Sequence, residues 1–233
     1  MEILNKLGSL NTHRKHIYGS HSFLETQDLI NLSQPLFTLR KKNTLAHQGK
    51  PFQGLYVVQC GTLKQIIQHE NKKELISHFF LPGDIIGLDA IGEGNYCGTI
   101  STIETSGLYH IPFRTIDELP ISHSSHMQLL RCLSRAIYLE HSRMWQMISQ
   151  PSDVRLACFF IMMSCKFSAL GYSPHCFRLA MSRKEIADYL CMAIETLSRL
   201  VSRFQQQGIL SAHGHEYCLL NPTALAAIAE RKK

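Results

Sequence analysis

The sequence predicts an α+β chain: a double-stranded β-roll first, one long helix next, and a winged helix-turn-helix last. Three observations carry this. Residues 25–119 are cut at short intervals by glycines, between runs such as Leu55-Tyr56-Val57-Val58 and Thr99-Ile100-Ser101-Thr102-Ile103. Short strands between glycine turns read as a sandwich or roll. Residues 122–149 hold no Gly and no Pro, and their apolar residues fall at helical spacing. Residues 182–208 read as a capped helix, a brief turn and a second helix closing on glycine. The organisation is therefore a tail (1–24), a roll (25–119), a long helix (120–149) and a carboxyl-terminal helix-turn-helix domain (150–233).

Composition sets the outer limits. The 233 residues correspond to one large or two small domains at ~150 residues each. Hydrophobic residues at 45% and charged residues at 18% suffice to bury a core, which excludes pervasive disorder and collagen-like repeats. The net charge of +6 (24 − 18) permits a polyanionic partner without requiring one. The longest apolar stretch, Leu156 to Met163, is too short for a bilayer, which needs ~20 residues. Residues 1–20 carry Lys6, His13, Arg14, Lys15 and His16 and no apolar block, so they do not read as a secretory signal. A cytoplasmic chain with no membrane partner is the expectation. The eight cysteines contain no C-x-x-C, so most are expected to be small buried hydrophobes, with no metal site. A redox or metal role for some subset stays open.

Within the roll, Pro82-Gly83-Asp84 is a tight turn, because Pro presets one dihedral and Gly permits the next. In the long helix, Leu130, Leu133, Ile137, Glu140, Met144 and Met147 step by 3, 4, 3, 4, 3, a heptad seam. It reads either as the buried face of a core helix or as a helix that pairs with its own copy. The length favours the copy, since ~28 residues run ~42 Å. Glu140 then faces its twin, or snorkels to solvent.

Gln150-Pro151-Ser152-Asp153 breaks the helix, and Ser152 or Asp153 is placed to cap the next, Val154 to Phe167. Phe177 to Met181 alternates like a strand. Ser182, with Glu185 three positions on, forms a capping box that starts a helix at Arg183. A turn at Cys191-Met192-Ala193 leads to a second helix, Ile194 to about Gln207, stopped by Gly208. Such a second helix lies in the major groove of DNA. Its outward residues Glu195, Ser198, Arg199 and Ser202 recur at i, i+3, i+4 and i+7. Arg199 is suited to guanine O6 and N7, Glu195 to the amino group of cytosine or adenine, and Ser198 to either role. The blander reading is a surface Glu–Arg pair, worth ~0.3–0.5 kcal/mol. Ser182, Arg183, Lys184, Thr196, Arg203 and His213 are placed to hold phosphates. Residues 209–220 read as two short strands around a His-Gly turn, the wing, and Asn221-Pro222 caps a last helix, Thr223 to Arg231.

These motifs resemble the cyclic-AMP receptor protein and fumarate–nitrate reduction regulator (CRP/FNR) family from about residue 25 onward. The carriers are Gly61-Thr62-Leu63-Lys64, Pro82-Gly83-Asp84-Ile85-Ile86-Gly87, Ile186-Ala187-Asp188-Tyr189-Leu190 and, above all, Ile194-Glu195-Thr196-Leu197-Ser198-Arg199-Leu200. The resemblance implies a cyclic-nucleotide-binding-like roll and a homodimer acting on double-stranded DNA as a transcription regulator. Glu195, Ser198 and Arg199 match the FNR-type reading helix, which implies an inverted repeat of the type TTGAT-N4-ATCAA. It also implies contact with RNA polymerase through exposed loops, here the turn Glu70-Asn71-Lys72-Lys73.

The departures narrow the signal. The first cysteine is Cys60, and Tyr109 stands where the family's roll cysteine for an iron–sulfur cluster falls. Gly87-Leu88-Asp89 and Cys97-Gly98-Thr99 replace the cyclic-AMP phosphate motifs, and no arginine lies between Arg40 and Arg114. No cofactor is therefore expected, and the effector is unknown. Cys191 replaces the usual turn glycine. Two other classes compete with this reading. A metal-dependent enzyme on a roll needs converging histidines, and His47, His69, His78 and His110 are scattered singly. A sensor acting through protein partners would not need Glu195, Ser198 and Arg199. Within the family, an effector-independent member controlled by its abundance is the alternative.

Overall fold

The computed structural model describes residues 30, 35–71, 73–114 and 123–231. The expected tail (1–24) and Lys72 of the β-roll turn lie outside them. The chain divides into two compact units, His21–Ala136 and one containing Ile137–Lys233.

Among its described residues the first unit holds eight strands: β1 (Phe37–Leu39), β2 (Thr44–Ala46), β3 (Gly54–Cys60), β4 (Leu63–Gln68), β5 (Glu74–Phe80), β6 (Ile85–Ile86), β7 (Thr99–Thr102) and β8 (Ser106–Pro112). They form two four-stranded sheets, β1-β8-β3-β6 and β2-β7-β4-β5, antiparallel at every pairing. β3, β6 and β8 from one sheet and β4 and β7 from the other meet in one buried cluster that includes Leu55, Val57, Leu63, Ile86, Ile100 and Leu108. This is the expected roll. In β3, residues 54–58 are all buried, so the sequence shows a continuous apolar run instead of alternation. Gly54 (φ 149°) lies directly against the Ile111 carbonyl, where a Cβ has no room. The Pro82 turn closes through Asp84 N–H to Leu81 O (3.0 Å), and the Asp84 carboxylate accepts from Leu81 N–H (2.8 Å).

Helix α1 (His123–Ser149) matches the expected long helix. In its first half, Leu129 and Cys132 pack on the roll cluster. They turn inward and set which residues of that half face out. Leu130, Ile137 and Met144, seven residues apart, are 57%, 56% and 57% exposed. Met127 and Ile148 are exposed beside them, whereas Leu133 and Met147 are half-buried. Glu140 is half exposed and its carboxylate accepts from Arg143 Nε (3.4 Å).

The second unit packs α2 (Ser152–Ala169), α3 (Arg183–Tyr189), α4 (Ile194–Gln206) and α5 (Pro222–Glu230) with a three-stranded sheet. That sheet is ordered β10 (Leu210–His213), β11 (Glu216–Leu219), β9 (Cys176–Arg178). Its core joins Phe160 to Tyr217 (5.2 Å between rings) and stacks Phe167 on Phe177 (5.1 Å). Each fully buried side chain of this size contributes ~1.5–3 kcal/mol.

Three expectations need correction. The cap of α2 is Pro151 with no side-chain cap bond. Ser152 Oγ accepts from Arg155 three residues on instead, and Asp153 Oδ2 from the distant Arg203 and Arg231, so a neighbour in the same turn has claimed the first candidate and tertiary partners the second. The strand expected at Phe177–Met181 ends at Arg178, because the register against β11 stops at Glu216. The cysteines are mostly not buried: only Cys132 and Cys158 are, Cys97 and Cys165 are half-buried, and Cys60 and Cys191 are exposed. Cys176 and Cys218 form a disulfide.

Candidate nucleic-acid interface

The capping box at the start of α3 is complete. Ser182 Oγ accepts from Glu185 N–H (3.2 Å), and the Glu185 carboxylate accepts from Ser182 N–H (2.8 Å). Ser182 Oγ also donates to that carboxylate (2.8 Å), so its hydroxyl is committed to the cap. Helix α3 ends in a Schellman turn: Met192 N–H reaches Ala187 O (3.0 Å) and Cys191 N–H reaches Asp188 O (3.1 Å). Cys191 takes the left-handed conformation itself (φ 51°). A β-carbon there costs ~1–3 kcal/mol, and Arg155 supplies support from outside. Its Nη1 donates to Leu190 O (2.6 Å) and Cys191 O (3.2 Å), the carbonyls at the turn.

Helix α4 follows. Leu197, Leu200, Val201 and Phe204 are its buried side. They pin it beside α3, where Ile186, Ala187 and Leu190 are buried too. This leaves Glu195 and Arg199 exposed one turn apart, with Ser198 half-buried between them and Ser202 exposed beyond. Glu195 lies in the first turn, where a carboxylate suits the helix dipole. Gly208 (φ 64°) stops the helix through Ile209 N–H to Phe204 O (2.9 Å) and Gly208 N–H to Gln205 O (2.9 Å).

The expected phosphate-binding residues fall around this face with different freedom. Lys184 and His213 are exposed, and Arg183 and Thr196 are half-buried. His213 Nδ1 pairs with Ser211 Oγ (3.2 Å). Arg203 is exposed but already has a partner within the chain: its Nη2 binds Asp153 Oδ2 (3.0 Å), which also takes Arg231 (2.6 Å). Burial raises the Asp153 carboxyl, but the bond and charge of Arg231, the Val154 amide and Arg203 together hold it below the usual range. Sequence reading missed Arg155 and read Asp153 only as a cap candidate, since their partners lie 35 to 78 residues away.

Residues 36–123 match the cyclic nucleotide-binding domain family and residues 154–228 the Crp-like helix-turn-helix domain family. Over 203 residues, 87% of this chain and 82% of the relative, the chain is 37% identical to the transcriptional activator protein FnrA of Stutzerimonas stutzeri. The chain belongs to the CRP/FNR family of transcription regulators. It is also 34% identical to the fumarate and nitrate reduction regulatory protein of Escherichia coli K12 over 212 residues, 91% of this chain and 84% of that one. FixK2 from Bradyrhizobium japonicum shares the fold, with a TM-score of 0.78 over 86% of this chain and 99% of that one at 22% identity.

In the roll of this CRP/FNR regulator, residues 87–90 and 97–99 are tied to each other and to β4 and β5. Asp89, in the 3-10 turn Leu88–Ala90, accepts from Gln65 Nε2 (2.9 Å), and Ser77 Oγ donates to Gln65 Oε1 (3.2 Å). Gly98 sits against the same glutamine, where a Cβ would meet its Cγ at 2.7 Å. Cys97 Sγ donates to Asp89 O (3.2 Å), and burial, then the Asp89 charge, push its thiol up. These bonds bring together a carboxylate and a neutral amide, neither of which attracts an anion as a guanidinium does. Among the described residues no three metal-binding side chains converge, and no helix is long and apolar enough to cross a membrane.

Proposed function

We propose that the chain acts in the cytoplasm as a homodimer, reading an inverted repeat of the type TTGAT-N4-ATCAA, and that it is not an enzyme. The observation that carries this reading is the outward pair Glu195 and Arg199 on α4, with Ser198 between them. Arg199 takes guanine, Glu195 accepts from a base amino group and Ser198 completes the contact. Arg183, Lys184, Thr196, Arg203, His213 and the Ser182 end of α3 hold phosphates and set the register. The second α4 comes from a copy docked along the outward stripe of α1, at Leu130, Ile137 and Met144, with Leu133, Glu140 and Met147 flanking. Two half-sites one helical turn apart then engage together, and linkage makes the second contact effectively intramolecular. The turn between β4 and β5, near Glu70, Asn71 and Lys73, is the proposed contact for RNA polymerase.

The Gln65–Asp89–Ser77 network favours a second reading within this one. A roll whose Gln65, Asp89 and Ser77 are already bonded to one another suits a member controlled by abundance, without an effector. Fluorescence anisotropy with the TTGAT-N4-ATCAA duplex and a scrambled duplex tests the main reading. Specific binding by wild type and loss of discrimination at the guanine in Arg199→Ala support it. Equal affinity of the wild type for both duplexes refutes it.

A further inference from the structure

Cys176 and Cys218 are cross-strand partners in β9 and β11. Leu219 N–H to His175 O (2.6 Å) and Leu179 N–H to His215 O (2.9 Å) mark the hydrogen-bonded pairs of this ladder. Cys176 and Cys218 fall between them, at a non-hydrogen-bonded pair. Backbones and side chains approach most closely at such pairs, and here the Cα atoms are 4.1 Å apart. Phe177 and Tyr217, one residue on, are the buried pair of the same strands. The cysteines therefore point to the opposite face, and Cys176 is exposed. Small buried hydrophobes they are not. The 42-residue span they close contains α3, α4 and β10, that is, the whole proposed reading unit.

We propose that Cys176 and Cys218 are a reversible redox modification site that takes small-molecule disulfides of the glutathione class and locks the wing sheet. The exposed Cys176 thiolate attacks one sulfur of the small disulfide and releases one small thiol. Cys218 then displaces the second small thiol from Cys176. Two protein thiols are oxidised to one disulfide, and one small disulfide is reduced to two thiols. The ladder bonds and the Phe177–Tyr217 core hold the register without the covalent link, so both states share one fold. In the closed state β9 is fixed to β11 and the wing is preorganised. The consequence for DNA rests on the reading above: a fixed wing gives tighter phosphate contact at every sequence.

The test uses the reduced full-length protein, titrated with oxidised glutathione. Differential alkylation and peptide mass spectrometry follow each cysteine, with Cys176→Ser and Cys218→Ser as controls. The expected product is a Cys176–Cys218 cross-linked peptide, reversed by dithiothreitol. Amide exchange in residues 176–178 and 216–219 slows on oxidation, by about tenfold, in wild type and in neither variant. Anisotropy then shows about three- to tenfold tighter binding of both the TTGAT-N4-ATCAA and the scrambled duplex by the oxidised wild type. Glutathione left on Cys176 alone, or both thiols remaining separately alkylated, overturns the proposal, as does unchanged amide exchange. A cross-link with slowed exchange but no duplex binding in either state supports the redox site and overturns the DNA-binding reading instead.

Discussion

At the scale of single residues, base contacts and phosphate contacts separate by their effects. Replacing Arg199 by alanine is expected to cost ~1–3 kcal/mol on the specific duplex and to relax the preference at guanine, because on the proposed reading that side chain meets a base edge. Replacing Lys184 weakens all duplexes alike, since a phosphate contact carries no sequence information. Competition binding with single-base variants of the site distinguishes the two. Asp153 predicts a pH effect. Its carboxyl is held below the usual range when folded, so its stabilisation is complete above the unfolded pKa, ~3.9, and disappears as pH falls through the lower folded value. Asp153→Asn should therefore destabilise the second unit by ~1–2 kcal/mol at neutral pH, the order of a charge-assisted hydrogen bond to half-exposed arginines. The gap from wild type should close in acid, below about pH 4. Chemical denaturation at a series of pH values checks both the size and the direction.

Among the elements, α1 combines one face on the roll with an apolar stripe left in solvent. Since Ile137 is 56% exposed, Ile137→Glu leaves the protomer folded and weakens self-association by at least about tenfold, the cost of a charge in an apolar contact. Sedimentation equilibrium reads this directly. Glu140→Leu acts in the opposite direction, removing a carboxylate from the flank of the stripe and tightening association. The elements also show what the sequence could reveal. The capping box at Ser182, Gly208 at the end of α4 and the turn at Cys191 are local grammar, written in neighbouring residues, and were legible at nearly residue precision. The inward turn of α1 depends on Leu129 and Cys132 meeting the roll, which heptad spacing alone does not contain. The Cys176–Cys218 pairing depends on a ladder register across 42 residues. Arg155 had no sequence signature, because its role is defined by carbonyls that only the folded turn brings to it.

For the whole molecule, the family and the order of roll, helix and winged reading unit were legible because each part has its own periodicity and punctuation. The interior of the roll was legible only by subtraction: missing arginines argued against a bound phosphate, but only the fold shows Gln65 bonded to Asp89 and Ser77. A dimer that grips phosphates loses affinity steeply with salt, by nearly one logarithmic unit in slope per neutralised phosphate. Arg203 should deviate from that rule. The free protein already supplies it with an anion, Asp153 (3.0 Å), which keeps Arg231 (2.6 Å) when Arg203 leaves. Moving Arg203 to DNA thus trades one anionic partner for another and releases little bound counterion. On the proposed reading, nucleic acid competes with the protein's own carboxylate for this guanidinium. Asp153→Asn should accordingly raise affinity for any duplex at low ionic strength, even as it lowers the melting temperature.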